Sequence, residues 1–379
     1  HGQVQINYVR PLAKIYRLET GYELRSGSSR DITSFALWDP SRSVFVDQPA
    51  FAHDVHYGRS IQSLYGLLAR ETERAGLQLG LRSEYTGRTI EITDTGQRYL
   101  IDRWDWFPTV HSSWQLSSHL QLMASYSRRI HRPRGWFLEP FETWMDKNNV
   151  REGNAALLPE YIDSYETSLQ WPFGKSSVTL EGHFRRRSNV IEEFRSLYPG
   201  TRDVILHQYQ NAGTSLARGV ELALSFRQVK WWIFSLTGDL YHYEIQPDPG
   251  FQLQNSSSSN WSFRLNNQFL LSDNTQVQVS ARFNSPSVTA QGTTSGNGIV
   301  NAAFRQKFLD KRLSLVLQIN DIFQTSKREF TSSGTGFTST SLMERDAPQL
   351  QVTLSYNFHN FRQDPSRRSE GDNGIEEDF

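Results

Sequence analysis

The stretch QVQVSARF, Gln276 to Phe283, alternates apolar and polar residues at every position. In an extended strand, its valines, alanine and phenylalanine share one face, and its glutamines, serine and arginine share the other. A similar alternation occurs in LQLGLRSEY from Leu77, VTLEGHF from Val178, GVELALSF from Gly219, WSFRLNNQF from Trp261 and QVTLSYNF from Gln351. The sequence therefore predicts an all-β protein whose strands have one apolar and one polar face.

Short and long connections between these strands follow one another along the chain. Short turns are predicted at Pro11–Lys14, Thr72–Gly76, Leu116–Ser118, Pro172–Lys175, Gln228–Lys230, Ser272–Thr275 and Leu309–Lys311. Longer polar links are predicted near residues 28–56, 131–158, 191–212, 246–260, 285–297 and 325–347, with a shorter one near 91–98. This asymmetry is typical of a transmembrane antiparallel β-barrel with short periplasmic turns and long extracellular loops. A soluble sandwich has no physical reason to segregate loop lengths in this way.

The number of strands bears on whether the barrel is whole. The hairpins with short turns, together with a final strand that ends at Phe358, give about fifteen strands, whereas a single-chain barrel with both termini in the periplasm needs an even number. Either the count is off by one, or strands that precede His1 complete the barrel. We expect residues 1–358 to be the C-terminal portion of a barrel and the polar residues 359–379 to form a periplasmic tail.

Composition excludes several other classes of protein. The 379 residues include 40 basic and 40 acidic side chains, so no overall charge attracts nucleic acid. There is no cysteine, which excludes disulfides and thiolate metal sites. No apolar run approaches the roughly 18 residues of a transmembrane helix.

No motif in the sequence predicts catalysis, a cofactor or a metal site. His53 and His56 form the closest histidine pair, but no third metal ligand lies nearby in the sequence. Glu192 and Glu193 are adjacent in a predicted loop, where solvated charges are more frequent than catalytic carboxylate pairs. The arginines Arg185–Arg187 lie near a predicted extracellular loop, where they could contact lipopolysaccharide phosphates or an anionic ligand, although a solvated face is the more frequent case. We therefore expect a protein that is not an enzyme.

Aromatic residues lie near several predicted strand ends. Because amphipathic rings favour the membrane–water interface, these positions predict interfacial girdles, against the alternative of ordinary core aromatics. The residues concerned are Trp104, Trp106, Trp231, Trp232 and Tyr241. On the last strand, Tyr356 and Phe358 resemble the C-terminal signal that barrel-assembly machinery reads on outer-membrane proteins.

A set of longer motifs resembles one family. The motifs are LGLRSEYTG from Leu79, DWFPTVHSSW from Asp105, YSRRIHRPRGWFLEPF from Tyr126, EGNAALLPEYIDSYE from Glu152, NAGTSLARGVELALSF from Asn211 and KFLDKRLSLVLQINDIF from Lys307. Taken together and in this order, they resemble the barrel of TonB-dependent outer-membrane receptors. Two positions depart from that pattern: Glu139 replaces an asparagine and Ala155 replaces a proline. Both departures fall in predicted loop turns.

The motif residues have an expected structural role. Pro133 should end a strand, Gly153 and Asn154 should supply positive φ in the returning loop, and Pro159 should fix the re-entry into the next strand. Arg128, Arg129 and Arg132 cannot all face lipid. We expect at least one of them to pair with a lumenal or loop carboxylate, with Glu160 and Glu166 as the nearest candidates.

The resemblance implies a function and a set of partners. It implies energy-coupled uptake of a large, scarce ligand (a siderophore, cobalamin, a glycan or a peptide) across the outer membrane of a Gram-negative bacterium. It also implies an upstream plug, contact with the TonB complex through that plug, and about seven further strands of a 22-stranded barrel. Outer-membrane lipids and lipopolysaccharide surround such a barrel, and a surface lipoprotein is a candidate partner. No sequence feature identifies ligand-binding residues.

Three alternatives remain open from the sequence. A non-transporting barrel could anchor or scaffold a membrane complex. A barrel enzyme would need a catalytic cluster at the extracellular rim, and no such cluster is evident. A soluble carbohydrate-binding β-sandwich would need to bury the apolar strand faces against each other.

Overall fold

A computed structural model describes residues 1–249 and 255–358. In chain order the strands are β1 (Gly2–Ala13), β2 (Tyr16–Thr33), β3 (Ala36–Asp39), β4 (Val44–Asp47), β5 (His53–Glu71), β6 (Ala75–Ile92), β7 (Gln97–Ser117), β8 (Leu120–His131), β9 (Glu142–Asp146), β10 (Asn149–Glu152), β11 (Glu160–Phe173), β12 (Ser176–Leu197), β13 (Ile205–Val229), β14 (Trp232–Pro247), β15 (Ser256–Leu270), β16 (Thr275–Asn284), β17 (Ser287–Val288), β18 (Gly292–Thr294), β19 (Asn297–Phe308), β20 (Leu313–Asn320), β21 (Lys327–Gly334), β22 (Phe337–Glu344) and β23 (Gln349–Tyr356). Two short 3₁₀ helices, Pro49–Phe51 and Gly135–Leu138, complete the elements in this part of the chain. None of its helices is long and apolar enough to cross a membrane.

All but two of the strands in the main seventeen-stranded sheet form one antiparallel meander. Each strand of the meander pairs with the next in the order β1, β2, β5, β6, β7, β8, β11, β12, β13, β14, β15, β16, β19, β20, β23. These fifteen strands agree with the number that the sequence predicts. Within the described residues, β1 and β23 each pair on one side only, so both are edge strands.

The two faces of the sheet differ as the alternation predicts. On β6, Leu77, Leu79 and Leu81 are 41%, 46% and 48% exposed, which fits a face directed at lipid. The alternate residues of the same strand include Glu84, which is buried on the lumenal face. Short turns connect the strands at one end of the sheet, such as residues 14–15 and 118–119, which makes that end periplasmic.

Some of the predicted long links are strands in the structure. Residues 191–212 were expected to form a loop, but Ile191 to Leu197 of β12 pair with Ile205 to Asn211 of β13. The hairpin therefore continues beyond the roughly ten residues that a tilted strand needs to cross the membrane.

The pairing of β7 with β8 stops part-way along the two strands. Its last pair is Thr109 with Ser127, although both strands continue beyond it. Pro108 is the next residue of β7 and has no N–H to donate to a neighbouring strand. The end of this pairing therefore lies within the DWFPTV motif.

Candidate functional site

Polar side chains lie next to one another on the lumenal face, midway along neighbouring strands. Glu23 on β2 lies opposite Ser63 on β5, and Ser63 lies opposite Glu84 on β6. Arg82 donates to both carboxylates, with Nη2 2.8 Å from Glu23 Oε2 and Nε 2.6 Å from Glu84 Oε1. Glu23 and Glu84 are only 8% and 4% exposed, so these charge-assisted bonds compensate for lost hydration.

Arg132 extends this group of charges. It follows the last residue of β8, and its Nη2 lies 2.6 Å from Glu84 Oε2 and 3.2 Å from Thr86 Oγ1. We call Glu23, Ser63, Arg82, Glu84 and Arg132 the wall network. It ties the start of the long connection between β8 and β11 to the barrel wall. We call that connection, residues 132–159, the mouth loop.

The mouth loop folds across the concave face of the sheet. Its Leu138 and Leu157 are 2% and 0% exposed, and they form one apolar cluster with Val55 of β5, Ile90 of β6 and Tyr209 of β13. Four strands of the meander separate β6 from β13, so the loop bridges distant parts of the wall. In addition, β10 in the loop pairs with β13 in parallel, from Asn149 with Ile205 to Glu152 with Gln208. The loop is a packed cover over the extracellular mouth of the lumen.

The Gly-Asn pair of the mouth loop has a different role from the expected one. Neither Gly153 nor Asn154 has a positive φ, so that expectation is wrong. Instead, the backbone at Gly153 lies close against another part of the loop. A Cβ atom there would lie 2.6 Å from Glu139 N and O. Two short hydrogen bonds make this contact, from Gly153 N to Glu139 O and from Asn154 N to Phe137 O, each 2.7 Å.

Glu139, where the family motif has asparagine, is buried within this loop. Its Oε1 accepts a hydrogen bond from the Tyr57 hydroxyl at 2.9 Å, and its Oε2 accepts one from Arg151 Nη2 at 3.0 Å. Burial raises the pKa of Glu139, and the bonds from Tyr57 and Arg151 offset part of that rise. The carboxylate thus links the mouth loop to β5. Arg151 also stacks on the Trp136 ring, 4.9 Å from its centroid.

The expected arginine partners need correction. Arg132 does pair with a lumenal carboxylate, but that carboxylate is Glu84, and Arg128 lies 4.0 Å from Asp163. Arg129 is exposed on the opposite face of β8 from Arg128. Glu160 and Glu166 have other partners, because strand register decides which residues lie side by side. Glu160 Oε2 lies 2.8 Å from His131 Nδ1, and Glu166 Oε1 lies 3.4 Å from Arg185 Nη2.

The two prolines of the motif lie where the expectation places them. β8 ends at His131, two residues before the buried Pro133. β11 begins at Glu160, directly after Pro159, whose carbonyl accepts a hydrogen bond from Asn189 Nδ2 at 3.2 Å. Both prolines therefore mark the ends of the mouth loop.

The aromatic residues divide into two groups. Trp104, Trp106 and Trp231 are 61%, 55% and 55% exposed, and Trp232 lies beside Trp231 at a periplasmic turn. Tyr241 was expected at the lipid interface, but it lies on the same face of β14 as the lumenal Asp239, with its ring 6.5 Å from that of His183. Strand alternation directs Leu240 towards lipid instead. Tyr356 and Phe358 lie together at the end of β23, with ring centroids 4.8 Å apart.

Carboxylates also lie side by side lower in the lumen. Glu181 on β12 lies directly opposite Glu221 on β13, and Glu221 lies directly opposite Asp239 on β14. We call these three residues the acidic ladder. Among the described residues, no arginine or lysine lies within 4.0 Å of any of these carboxylates, and the imidazole of His183 lies with Nε2 3.9 Å from Asp239 Oδ1. Like charges directly opposite one another destabilise a sheet.

A cavity lies between the wall and the mouth loop, and the sequence did not single it out. Its volume is about 260 Å³, and four arginines line it: Arg59, Arg88, Arg103 and Arg132. Arg88 shares the polar face of β6 with Arg82 and Glu84, so alternation shows that it points into the lumen. The sequence does not show which other strands and loops meet it there. In the described part of the chain, no group of His, Asp and Glu residues could hold a metal ion.

Comparison with known proteins agrees with this architecture. The model of the "Outer membrane protein beta-barrel family" matches residues 2–356. The chain belongs to that family. It is therefore an integral protein of the outer membrane of a Gram-negative bacterium. No curated protein matches the sequence.

Solved structures show the same fold for this outer-membrane β-barrel. The ferric-catecholate import receptor Fiu from E. coli K12 matches with 13% identity and a TM-score of 0.63, over 93% of this chain and 53% of that one. The copper transporter OprC matches with 14% identity and a TM-score of 0.60, over 93% and 56%. The FrpB iron transporter from Neisseria meningitidis matches with 14% identity and a TM-score of 0.58, over 93% and 55%. The chain thus spans about half the length of these proteins.

Proposed function

We propose that this outer-membrane β-barrel is the wall of a TonB-dependent uptake receptor whose lumen holds a plug. The acidic ladder is the observation that carries the proposal. Glu181, Glu221 and Asp239 face the lumen in direct register, and no arginine or lysine of the described residues forms an ion pair with them. A lumenal segment with basic side chains would convert this repulsion into charge-assisted bonds.

The open edges of the sheet support a larger barrel around that plug. In the described part of the chain, β1 and β23 leave rows of backbone N–H and C=O groups without a strand partner on one side, and lipid offers no substitute for those bonds. Barrels that transport through a plugged lumen have about 22 strands, so about seven more strands would close this one. TonB would act on the plug, and the mouth loop would cover the ligand on the extracellular side.

Transport explains the structure better than anchoring or catalysis. An anchoring barrel has no need for unpaired lumenal carboxylates or for a packed cover over its mouth. The solved proteins with this fold include an import receptor and transporters, which favours uptake over an enzymatic role.

Uptake by cells tests this function. Cells that express the full-length protein would receive labelled ferric chelates, cobalamin, oligosaccharides and peptides, one class at a time. We expect one class to accumulate in energised cells, and to stop accumulating when a protonophore is added or TonB is absent. A matched strain without the gene serves as the control. Equal accumulation of every class in the two strains would favour the anchoring role.

A further inference from the structure

The arginine-lined cavity has two walls of different origin. The barrel strands supply Arg59, Arg88 and Arg103, and the mouth loop supplies Arg132, Trp136 and Leu138. Its volume of about 260 Å³ is close to the lower end of the range for small-molecule sites, roughly 300–1,000 Å³. The space therefore suits a group about the size of one substituted ring.

Arginines outnumber carboxylates among the described residues that line this cavity. Of the residues that line it, only Asp31 is a carboxylate, against four arginines. Arg132 is paired with Glu84 and Arg103 with Asp105. Among the described residues, Arg88 has a single hydrogen bond, from Nη2 to the Ala155 carbonyl at 3.3 Å, and no carboxylate lies within 4.0 Å of it. A half-buried guanidinium without a counter-ion is a site for an anion.

Much of the remaining lining is apolar or aromatic, beside the hydroxyl groups of Ser28, Ser29 and Thr86. Ile101, Trp136 and Leu138 form part of it, together with the rings of Pro133 and Pro159. An inorganic anion would leave this surface uncovered, whereas an organic group attached to the anion would bury it. Trp136 offers a flat face of the kind that packs against another ring.

We propose that this cavity binds the oxyanion end of an organic ligand, a carboxylate or phosphate attached to a ring or other apolar body. Arg88 donates to the anion, and Trp136 with Leu138 packs against the body. The inference rests on the proposed function, because the ligand would be the substrate or one end of it. Since the mouth loop supplies six of the seventeen residues that line the cavity, the loop must be folded for the site to exist.

Binding to the full-length receptor in detergent, measured by calorimetry, tests this site. The probes are phenyl phosphate, benzoate, inorganic phosphate and benzylammonium. We expect phenyl phosphate or benzoate to bind at least tenfold more tightly than inorganic phosphate, and benzylammonium not to bind. The proposal would be overturned if benzylammonium bound as tightly as the aromatic anions, or if neither phenyl phosphate nor benzoate bound. This test uses the unsubstituted protein alone.

Variants then locate the site. Arg88→Gln should weaken aromatic-anion binding about tenfold or more, since a hydrogen bond to a charged group contributes about 1.5–3 kcal/mol. Arg129→Gln is the matched control, because Arg129 is an exposed lumenal arginine outside this cavity. The faster migration of the unheated, folded barrel on an SDS gel shows that each variant is folded. Unchanged binding in folded Arg88→Gln would refute the assignment.

The two proposals can fail separately. If anion binding depends on Arg88 but no ligand class is taken up by energised cells, the anion site stands and the transport role is refuted. Energised uptake that Arg88→Gln leaves unchanged, together with unchanged binding, would leave the transport role and refute the site.

Discussion

Individual carboxylates in this barrel differ in how much they stabilise the fold, and burial decides which matter. Glu84 has a side chain only 5% exposed and pairs with both Arg82 and Arg132. Glu166 has a side chain 28% exposed and pairs with Arg185, which is 44% exposed. Water screens the second pair, so its contribution is small. Glu84, by contrast, has lost almost all contact with water and is bound by its two arginine partners instead.

Substitution of these two residues should therefore give unequal results. Glu84→Gln leaves two partly buried guanidinium groups without their shared carboxylate and should lower the free energy of unfolding by about 3 kcal/mol. Glu166→Gln removes an equal charge from the same lumen and should change it by at most about 1 kcal/mol. Unfolding of the full-length protein in urea, in lipid vesicles, measures both. Equal losses in the two variants would show that burial does not determine their contributions.

At the scale of elements, the sequence determined the strands better than the loops. Alternation such as that from Gln276 to Phe283 has a local cause, so it predicts each strand by itself. The mouth loop depends on contacts between Leu138, Ile90 and Tyr209, which come from distant parts of the chain. No local sequence pattern predicts that these three residues come into contact. For the same reason, Arg88 was visible as a polar strand residue but not as part of a cavity.

The mouth loop gives a prediction about a single close contact. Gly153→Ala places a Cβ atom 2.6 Å from two backbone atoms of Glu139, and backbone cannot move as easily as a side chain. The loop should lose about 1–3 kcal/mol of stability. Hydrogen exchange at Asn149–Glu152, which pair with β13, should then become faster while the barrel strands stay protected.

Gly66→Ala is the matched control, since nothing lies within 4 Å of a Cβ atom at that position of β5. It should leave the exchange of the mouth loop unchanged. The same exchange rates in Gly153→Ala and the unsubstituted protein would mean that the loop can shift to accept the methyl group. The close approach would then not be what selects glycine there.

For the whole molecule, the distribution of charge follows the topology rather than the composition. Basic and acidic residues are equal in number, yet the acidic ladder lies unpaired in the lumen and four arginines line the cavity beneath the mouth loop. A net charge of zero conceals this separation. The separation became visible only when strand register placed Glu181, Glu221 and Asp239 side by side. On the basis of this separation we propose a basic plug segment against the ladder and an anionic ligand in the cavity.

The acidic ladder gives a prediction about the plug that we propose for the full-length protein. In the triple variant Glu181→Gln, Glu221→Gln and Asp239→Asn, each lost charge should remove about 1.5–3 kcal/mol of plug binding, if each carboxylate accepts one bond from a basic residue. In planar bilayers, urea should therefore open an ionic current through the barrel at a lower concentration than in the unsubstituted protein. Glu91→Gln, which removes an exposed carboxylate paired with Arg98, should not shift that concentration. A shift to higher urea in the triple variant would mean that the three carboxylates only repel one another and that no basic segment lies against them.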